Sequence, residues 1–241
     1  FAIYHGPKGL AGIAKNVHKK TLKLYNGIIN GGHKILHNHF FDTLSVRLNG
    51  NIPDIKARLL QAKINVNWID ADLISISVDE AKTSADIDDL IIALTNQDAP
   101  NSSENEKVGL NKNMIRTSSF MKQERFNKYH SETEMMRYIK RLSDKDIALD
   151  RSMIPLGSCT MKLNSASEMA PVSWPEFANM HPYCPVDQTE GYQNLIRDLK
   201  SMLSEITGYY DISLQPNAGS QGEYAGLLAI DAYHKNKGDN N

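Results

Sequence analysis

The residues best suited to bind a ligand lie in the stretch QPNAGSQGEYAG, residues 215–226. A short apolar segment leads there into a turn with Gly219, and the pattern predicts a helix from Ser220 onward. The first turn of a helix presents unpaired N–H groups and the positive end of the dipole, which together bind phosphate. Gly219 would allow close approach, while Ser220 and Gln221 would add side-chain donors. A helix cap without a ligand is the alternative, because Gly and Ser are common at helix starts.

A second stretch rich in reactive groups is MIPLGSCTMKLN, residues 153–164. It holds the hydroxyls of Ser158 and Thr160, the thiol of Cys159 and the amine of Lys162, and polar loops of this kind often carry function. A nucleophilic role for Cys159 is disfavoured because no partner histidine can be identified. A Schiff-base role for Lys162 would need a desolvated amine beside a cofactor, which no sequence pattern indicates here.

The histidine and cysteine patterns favour neither a metal site nor a disulfide. His33, His37 and His39 are closely spaced, but their segment is predicted to be extended and lacks acidic ligands, which favours an ordinary polar strand over a metal site. The two cysteines, Cys159 and Cys184, are too few for a secreted disulfide scaffold, so we expect reduced thiols.

The composition excludes several classes of protein. The sequence has 241 residues, a formal net charge of -1 and 41% hydrophobic residues, typical of a globular protein. There is no basic excess for a nucleic acid or an anionic membrane surface, and the longest apolar runs are too short to span a bilayer. The sequence starts at Phe1 without methionine; we expect this start to lie inside a strand and both ends to be cut.

Hydrophobic periodicity predicts an α+β domain over residues 1–95. An amphipathic helix ends at Gly31 and Gly32, and an extended segment follows over residues 33–48. Asn51 starts a short helix, residues 64–78 form a hairpin, and Thr83 and Ser84 can cap a last helix. The apolar positions that define the first helix are Leu10, Ile13, Ala14, Val17, Thr21, Leu24 and Ile28.

The polar stretch that follows predicts a linker over residues 96–114, with a functional lid as the alternative. A second domain is predicted over residues 115–241. Ser131 and Glu134 form a capping-box pattern before a helix, and the role of His130 is left open. Further predictions are a helix over residues 191–207 whose apolar face is turned toward the core, a short buried strand over 211–215, and a helix over 220–236.

Six motifs along the chain together resemble the glycine decarboxylase P-protein family. They occur in the family's order and cover nearly the whole sequence. Residues 121–127, MKQERFN, depart from a more usual His-Pro-Val-Phe-Asn pattern. The six motifs are YHGPKGLAGIA from Tyr4, FFDTL from Phe40, YHSETEMMRY from Tyr129, IPLGSCTMKLN from Ile154, WPEFANMHPY from Trp174 and QPNAGSQGEYAGLLAI from Gln215.

The resemblance implies an α/β architecture, the PLP-dependent transferase fold of the aspartate-aminotransferase type (fold type I). The chain would span the end of the family's first half and the start of its second half. By the motif match, Gly219, Ser220 and Gln221 would bind the cofactor phosphate, and Ser158, Cys159 and Thr160 would form a loop near the substrate. The family's Schiff-base lysine would lie beyond this sequence, so no lysine here is assigned that role and no turnover is expected from this chain alone.

The implied reaction is decarboxylation of glycine with pyridoxal 5′-phosphate, followed by transfer of the aminomethyl group to the lipoyl group of the H-protein. A homodimer is expected, or a heterotetramer where the halves are separate chains, with no nucleic-acid or membrane partner. The location would be the mitochondrial matrix in a eukaryote and the cytoplasm in a bacterium. Another PLP enzyme of fold type I and a non-catalytic supporting half are the alternatives.

Overall fold

The first part of the chain is built on a four-stranded antiparallel sheet. A computed structural model describes residues 1–100, 109–148, 151, 153 and 165–238. Their contacts divide the chain into two units, residues 1–148 and 149–241. The predicted domains 1–95 and 115–241 stay predictions, and Ser158, Cys159 and Thr160 lie outside the described residues.

In the first unit, helices and short strands alternate along the chain. The sheet order is β1-β2-β4-β3, so the last two strands form the predicted hairpin and β4 pairs with β2 in the centre. The helices predicted at Asn51 and Thr83 are confirmed. The elements are α1 (Ala2–Asn30), β1 (Lys34–Ile35), β2 (Thr43–Arg47), α2 (Ile52–Gln61), β3 (Asn67–Trp68), β4 (Leu73–Ser77) and α3 (Ser84–Thr95).

One apolar core joins the three helices to one face of this sheet. Along β2, Leu44 and Val46 are buried and their neighbours are less so, as the period of two predicts for a strand with one covered face. Val46 lies opposite Ile74 of β4, which is also fully buried. Leu24 and Ile28 of α1 belong to the same cluster, which confirms the predicted apolar face at the C-terminal half of that helix.

The start of the chain differs from the prediction. The first residues are helical from Ala2, not extended. Gly6 interrupts this helix with φ +62° and ψ −177°, and Pro7 follows it directly. The physical reason is local: glycine tolerates positive φ, and the fixed φ of proline suits the first turn of a helix, so the helix restarts at Pro7.

Alanine substitutions at two glycines of α1 should have opposite effects. A Cβ at Gly27 would lie 2.7 Å from Cδ1 and 2.8 Å from both Cγ atoms of the buried Ile91. We expect Gly27→Ala to cost about 1–3 kcal/mol by overpacking, reduced by up to about 1 kcal/mol of helix propensity. Gly12 has open space around the same position, so Gly12→Ala should stabilise by up to about 1 kcal/mol. Urea unfolding measures both, and a loss of stability in both variants would contradict the packing explanation.

The capping residues at the start of α3 should make the free energy of unfolding depend on pH in the acid range. Thr83 and Asp86 form a complete capping box, and hydrogen bonds from the Thr83 backbone and hydroxyl lower the pKa of Asp86. A carboxyl with a lowered folded-state pKa stabilises the fold above its unfolded pKa, and this contribution is lost as the pH falls through the folded value. Thr83→Ala should cost about 1 kcal/mol at neutral pH and less in acid. Urea unfolding across the acid range checks this, and Thr83→Ser, which keeps the hydroxyl, should retain the wild-type profile.

The predicted helix after Ser131 is present as α4 (Glu132–Ser143), at the end of the first unit. The Ser131 hydroxyl accepts from the Glu134 N–H at 3.3 Å and donates to the Glu134 carboxylate at 3.0 Å. This is the serine half of the predicted capping box. The atypical residues 121–127 include a 3-10 turn, Glu124–Phe126.

The second unit is helical among its described residues, and its helices are exposed. They are α5 (Ala166–Met169), α6 (Pro175–Ala178), α7 (Glu190–Thr207) and α8 (Gly219–Asn236). Helix α7 ends at Gly208 with φ +74°, as predicted. The predicted burial of its apolar face is wrong within the described residues, because Leu199 remains 43% and Ile206 79% exposed.

The strand predicted over residues 211–215 is also wrong, since these residues have no regular structure. The described part of the second unit contains no strand with which they could pair, so their backbone groups form no ladder. Among the described residues no helix is long and apolar enough to cross a bilayer.

Candidate functional site

The predicted phosphate-binding turn lies at the start of α8. Ala218 is the N-cap residue, in an extended conformation, and it provides no side-chain cap. The first hydrogen bond of the helix runs from the Gly222 N–H to the Ala218 carbonyl at 3.1 Å. The N–H groups of Gly219, Ser220 and Gln221 precede this bond, so the helix itself offers them no acceptor. The structure therefore brings the three predicted residues together as consecutive donors.

The side chain of Gln221 closes the turn before the helix. Its Oε1 accepts a hydrogen bond from the backbone N–H of Asn217 at 2.8 Å. With the carbonyl oxygen oriented in this way, the amide nitrogen of Gln221 keeps its capacity as a donor. The turn thus adds a side-chain N–H group to the three backbone donors and the Ser220 hydroxyl.

The charge around this turn suits an anion. The first turn of α8 contains no acidic residue, whereas His234 and Lys235 lie in its last turn. The positive end of the helix dipole is therefore not neutralised by a carboxylate of its own first turn, and the last turn complements the negative end.

The site is open on the side of its glycines. A Cβ added to Gly219 or to Gly222 would meet no atom within 4 Å, and both residues are exposed. Gly219 is not among the residues with positive φ. Within the described chain, neither strain nor a protein neighbour requires glycine at either position.

The histidine group behaves as part of the fold. The buried His33 contacts the Leu94 carbonyl through Nε2 at 3.1 Å and accepts the Asn49 N–H at Nδ1, also at 3.1 Å. His39 Nδ1 lies 3.3 Å from the Gly109 carbonyl. Within residues 1–100, 109–148 and 165–238, no three His, Cys, Asp or Glu side chains come together as a metal site. Cys184, the described cysteine, has its Sγ 3.6 Å from Gln188 Oε1.

Sequence reasoning missed a basic cluster on α4. Arg141 donates from Nη2 to the Tyr129 hydroxyl at 3.0 Å and lies over its ring. Tyr129 stacks on Tyr138 with 4.2 Å between the ring centroids. Together with Glu134, Arg137 and Lys140, Tyr129 and Arg141 line a shallow depression. The spacing of the three basic residues, three and four positions apart, was the available signal.

Comparison with known proteins identifies relatives along the whole chain. Residues 1–94 match the model of a family described as "Glycine cleavage system P-protein". Over 99% of its length, the chain is 48% identical to the mitochondrial glycine dehydrogenase (decarboxylating) of Mus musculus and covers 24% of that protein. The Gallus gallus protein of the same name gives the same values.

A bacterial relative is equally similar. The glycine dehydrogenase (decarboxylating) of Nostoc punctiforme is 48% identical over 99% of this chain, which covers 26% of that protein. The chain thus spans about a quarter of the length of the curated relatives that it matches. Near-complete coverage of this chain at 48% identity, together with the family match over residues 1–94, shows that the chain matches a fragment of the glycine cleavage system P-protein.

Proposed function

We propose that the protein to which this chain belongs decarboxylates glycine with pyridoxal 5′-phosphate and transfers the aminomethyl group to the lipoyl group of the H-protein. The observation that carries the proposal is the 48% identity, over 99% of the chain, to proteins named glycine dehydrogenase (decarboxylating). A homodimer, or a heterotetramer if the halves are separate chains, is part of the same proposal.

The donors at the start of α8 fit the phosphate of this cofactor. The N–H groups of Gly219, Ser220 and Gln221, the Ser220 hydroxyl and the Gln221 amide nitrogen would hold it. A helix start without a side-chain cap or a first-turn carboxylate leaves these donors and the positive dipole end for an anion. The exposed space at Gly219 admits the phosphate against the backbone.

Holding the phosphate is the role we assign to this chain's own residues. When bound, pyridoxal 5′-phosphate supplies an electron-accepting ring for the negative charge that the loss of CO2 leaves on glycine. Residues 219–221 would fix the phosphate end, so that the reacting atoms keep their orientation while bonds to glycine change. Ser158, Cys159 and Thr160 are proposed to line the substrate side, on the strength of the family resemblance, and no lysine of this chain is proposed to bind the cofactor covalently.

We also propose the aspartate-aminotransferase type of fold, fold type I. The exposed apolar residues of α7 and α8, such as Leu199 and Leu227, are consistent with helices that pack on a larger sheet in the whole protein.

The test is an exchange assay with the full-length protein. We expect exchange of labelled bicarbonate into the carboxyl group of glycine when lipoylated H-protein is present, and none with the unlipoylated carrier. Conversion of an amino acid without the carrier would favour another PLP enzyme of fold type I. Absence of the visible absorbance of bound cofactor after addition of pyridoxal 5′-phosphate would favour a non-catalytic supporting half.

A further inference from the structure

Residues 109–131 connect the α+β core to α4. The first of them, Gly109, is hydrogen-bonded to the core. Gly109 donates its N–H to the Asn38 carbonyl at 3.2 Å, and its own carbonyl accepts from the Phe40 N–H at 3.3 Å. Gly109 has φ +99°, and a Cβ there would lie 2.7 Å from Cε1 and 2.8 Å from Nε2 of His18. Glycine is therefore needed twice, for its conformation and for the closeness of the His18 ring.

The His18 ring that faces Gly109 is itself held in place. Its Nδ1 lies 2.8 Å from the Phe41 carbonyl, and the ring stacks on Phe41 at 15°. His18 could move away from a new side chain at position 109 only by giving up these contacts. Gly109 thus meets a rigid neighbour.

The other end of this segment, at His130, is hydrogen-bonded to α1 beside the interruption of that helix at Gly6. His130 Nδ1 lies 2.6 Å from the Tyr4 carbonyl, and it must donate because the carbonyl can only accept. Gly6 lies beneath this contact: a Cβ there would be 2.6 Å from the Phe126 carbonyl oxygen and 2.8 Å from His130 Cε1. The positive φ of Gly6 and the absence of its side chain together create the space into which residues 126–130 fit.

Residues 121–127 are hydrogen-bonded to one another, so we expect them to pack on α1 as one ordered segment. The Asn127 side-chain amide donates to the Met121 carbonyl at 2.9 Å and to the Gln123 carbonyl at 3.1 Å. The backbone N–H of Phe126 donates to the Gln123 carbonyl at 3.0 Å. A flexible linker would leave these groups to water.

We propose that residues 109–131 form a strap, clamped to the α+β core at Gly109 and at His130, that holds the start of α4 at a fixed place beside the first turns of α1. The two clamps are independent, because they use different residues of α1 and opposite ends of the strap. Each is a glycine whose backbone lies against a histidine ring. Release of the His130 clamp would free the start of α4, since the helix begins at Glu132.

Hydrogen exchange in the full-length protein, followed by mass spectrometry, tests the strap. Gly6→Ala should raise the exchange rate over residues 121–131 up to about tenfold, as expected for loss of about one hydrogen bond's net stability. Gly109→Ala should raise it around residues 109–114 and at Phe40. Gly12→Ala is the matched control, since it lies in the same helix as Gly6 with open space around it, and it should change neither segment.

A second pair of variants keeps the proposal testable if the glycine variants misfold. His130→Ala should raise exchange over residues 121–131 while the strands β2 and β4 stay protected. His130→Asn retains a side-chain N–H that can reach the Tyr4 carbonyl and should restore protection. The strap is refuted if residues 121–131 exchange as fast in the wild type as in His130→Ala, or if His130→Asn is no better protected than His130→Ala.

Discussion

Leu24→Ala is expected to lower the free energy of unfolding of the first unit by about 2–5 kcal/mol, the range for a buried leucine whose removal leaves a cavity. Leu24 is fully buried and belongs to the cluster that joins α1 to the sheet and to α3. The other members of this cluster are held by the sheet and by α3, so we expect the site not to collapse completely around the cavity.

Leu60 provides the matched control for this prediction. It is also a helical leucine of the first unit, in α2, but it is 68% exposed. Leu60→Ala should therefore change stability by no more than about 0.5 kcal/mol. Urea unfolding is followed by Trp68 fluorescence in a Trp174→Phe background, because the chain has only these two tryptophans. Equal losses of unfolding free energy in Leu24→Ala and Leu60→Ala would contradict the explanation by burial.

Ser220→Ala is expected to weaken binding of pyridoxal 5′-phosphate by the full-length protein about 10- to 100-fold. A hydrogen bond to a charged group contributes about 1.5–3 kcal/mol, which corresponds to that change in Kd. Titration of the cofactor-free protein, followed by visible absorbance, gives the affinity. Ser201→Ala, an exposed serine in α7, should bind as the wild type does. Equal affinities for Ser220→Ala and the wild type would remove the hydroxyl from the phosphate site.

Gln221→Glu separates a ligand role from a structural one at the same turn. The carboxylate can still accept the Asn217 N–H that Gln221 Oε1 accepts now, and a negative charge near a helix start stabilises the helix. The same charge would repel a phosphate. Cofactor affinity should therefore fall below that of Ser220→Ala while thermal stability without cofactor is maintained. Unchanged affinity would indicate that the start of α8 is only capped.

Local sequence patterns predicted the elements of the first unit well. Helices start where predicted, at Asn51 and Thr83, whose side chains accept the N–H groups of Asp54 and Asp86. The alternation through Ile74 and Ile76 predicted β4 and its covered face. These signals work because a cap or a strand period depends on residues a few positions apart. The resemblance to the P-protein family came likewise from motifs in a fixed order and was confirmed by the comparisons.

Predictions failed where the outcome depended on a neighbour distant in sequence. Residues 211–215 have the composition of a buried strand, yet no strand of the described second unit pairs with them. The apolar face of α7 has the right period for a covered helix, yet Ile206 remains largely exposed. Hydrophobic periodicity predicts which side of a helix or strand is apolar, but burial of that side requires another element that packs against it.

The sequence by itself indicated the resemblance to the P-protein family, the order of the helices and strands of the first unit after its first residues, and the turn at residues 219–221 as a candidate phosphate site. Only the tertiary structure decided that Gly6 and Gly109 are points of close approach, because their neighbours His130 and His18 lie far from them along the chain. It also decided that His33 is a structural hydrogen-bonding residue between Leu94 and Asn49. Hydrogen bonds within one turn follow from residue order, whereas contacts between remote segments exist only after the chain has folded and brought them together.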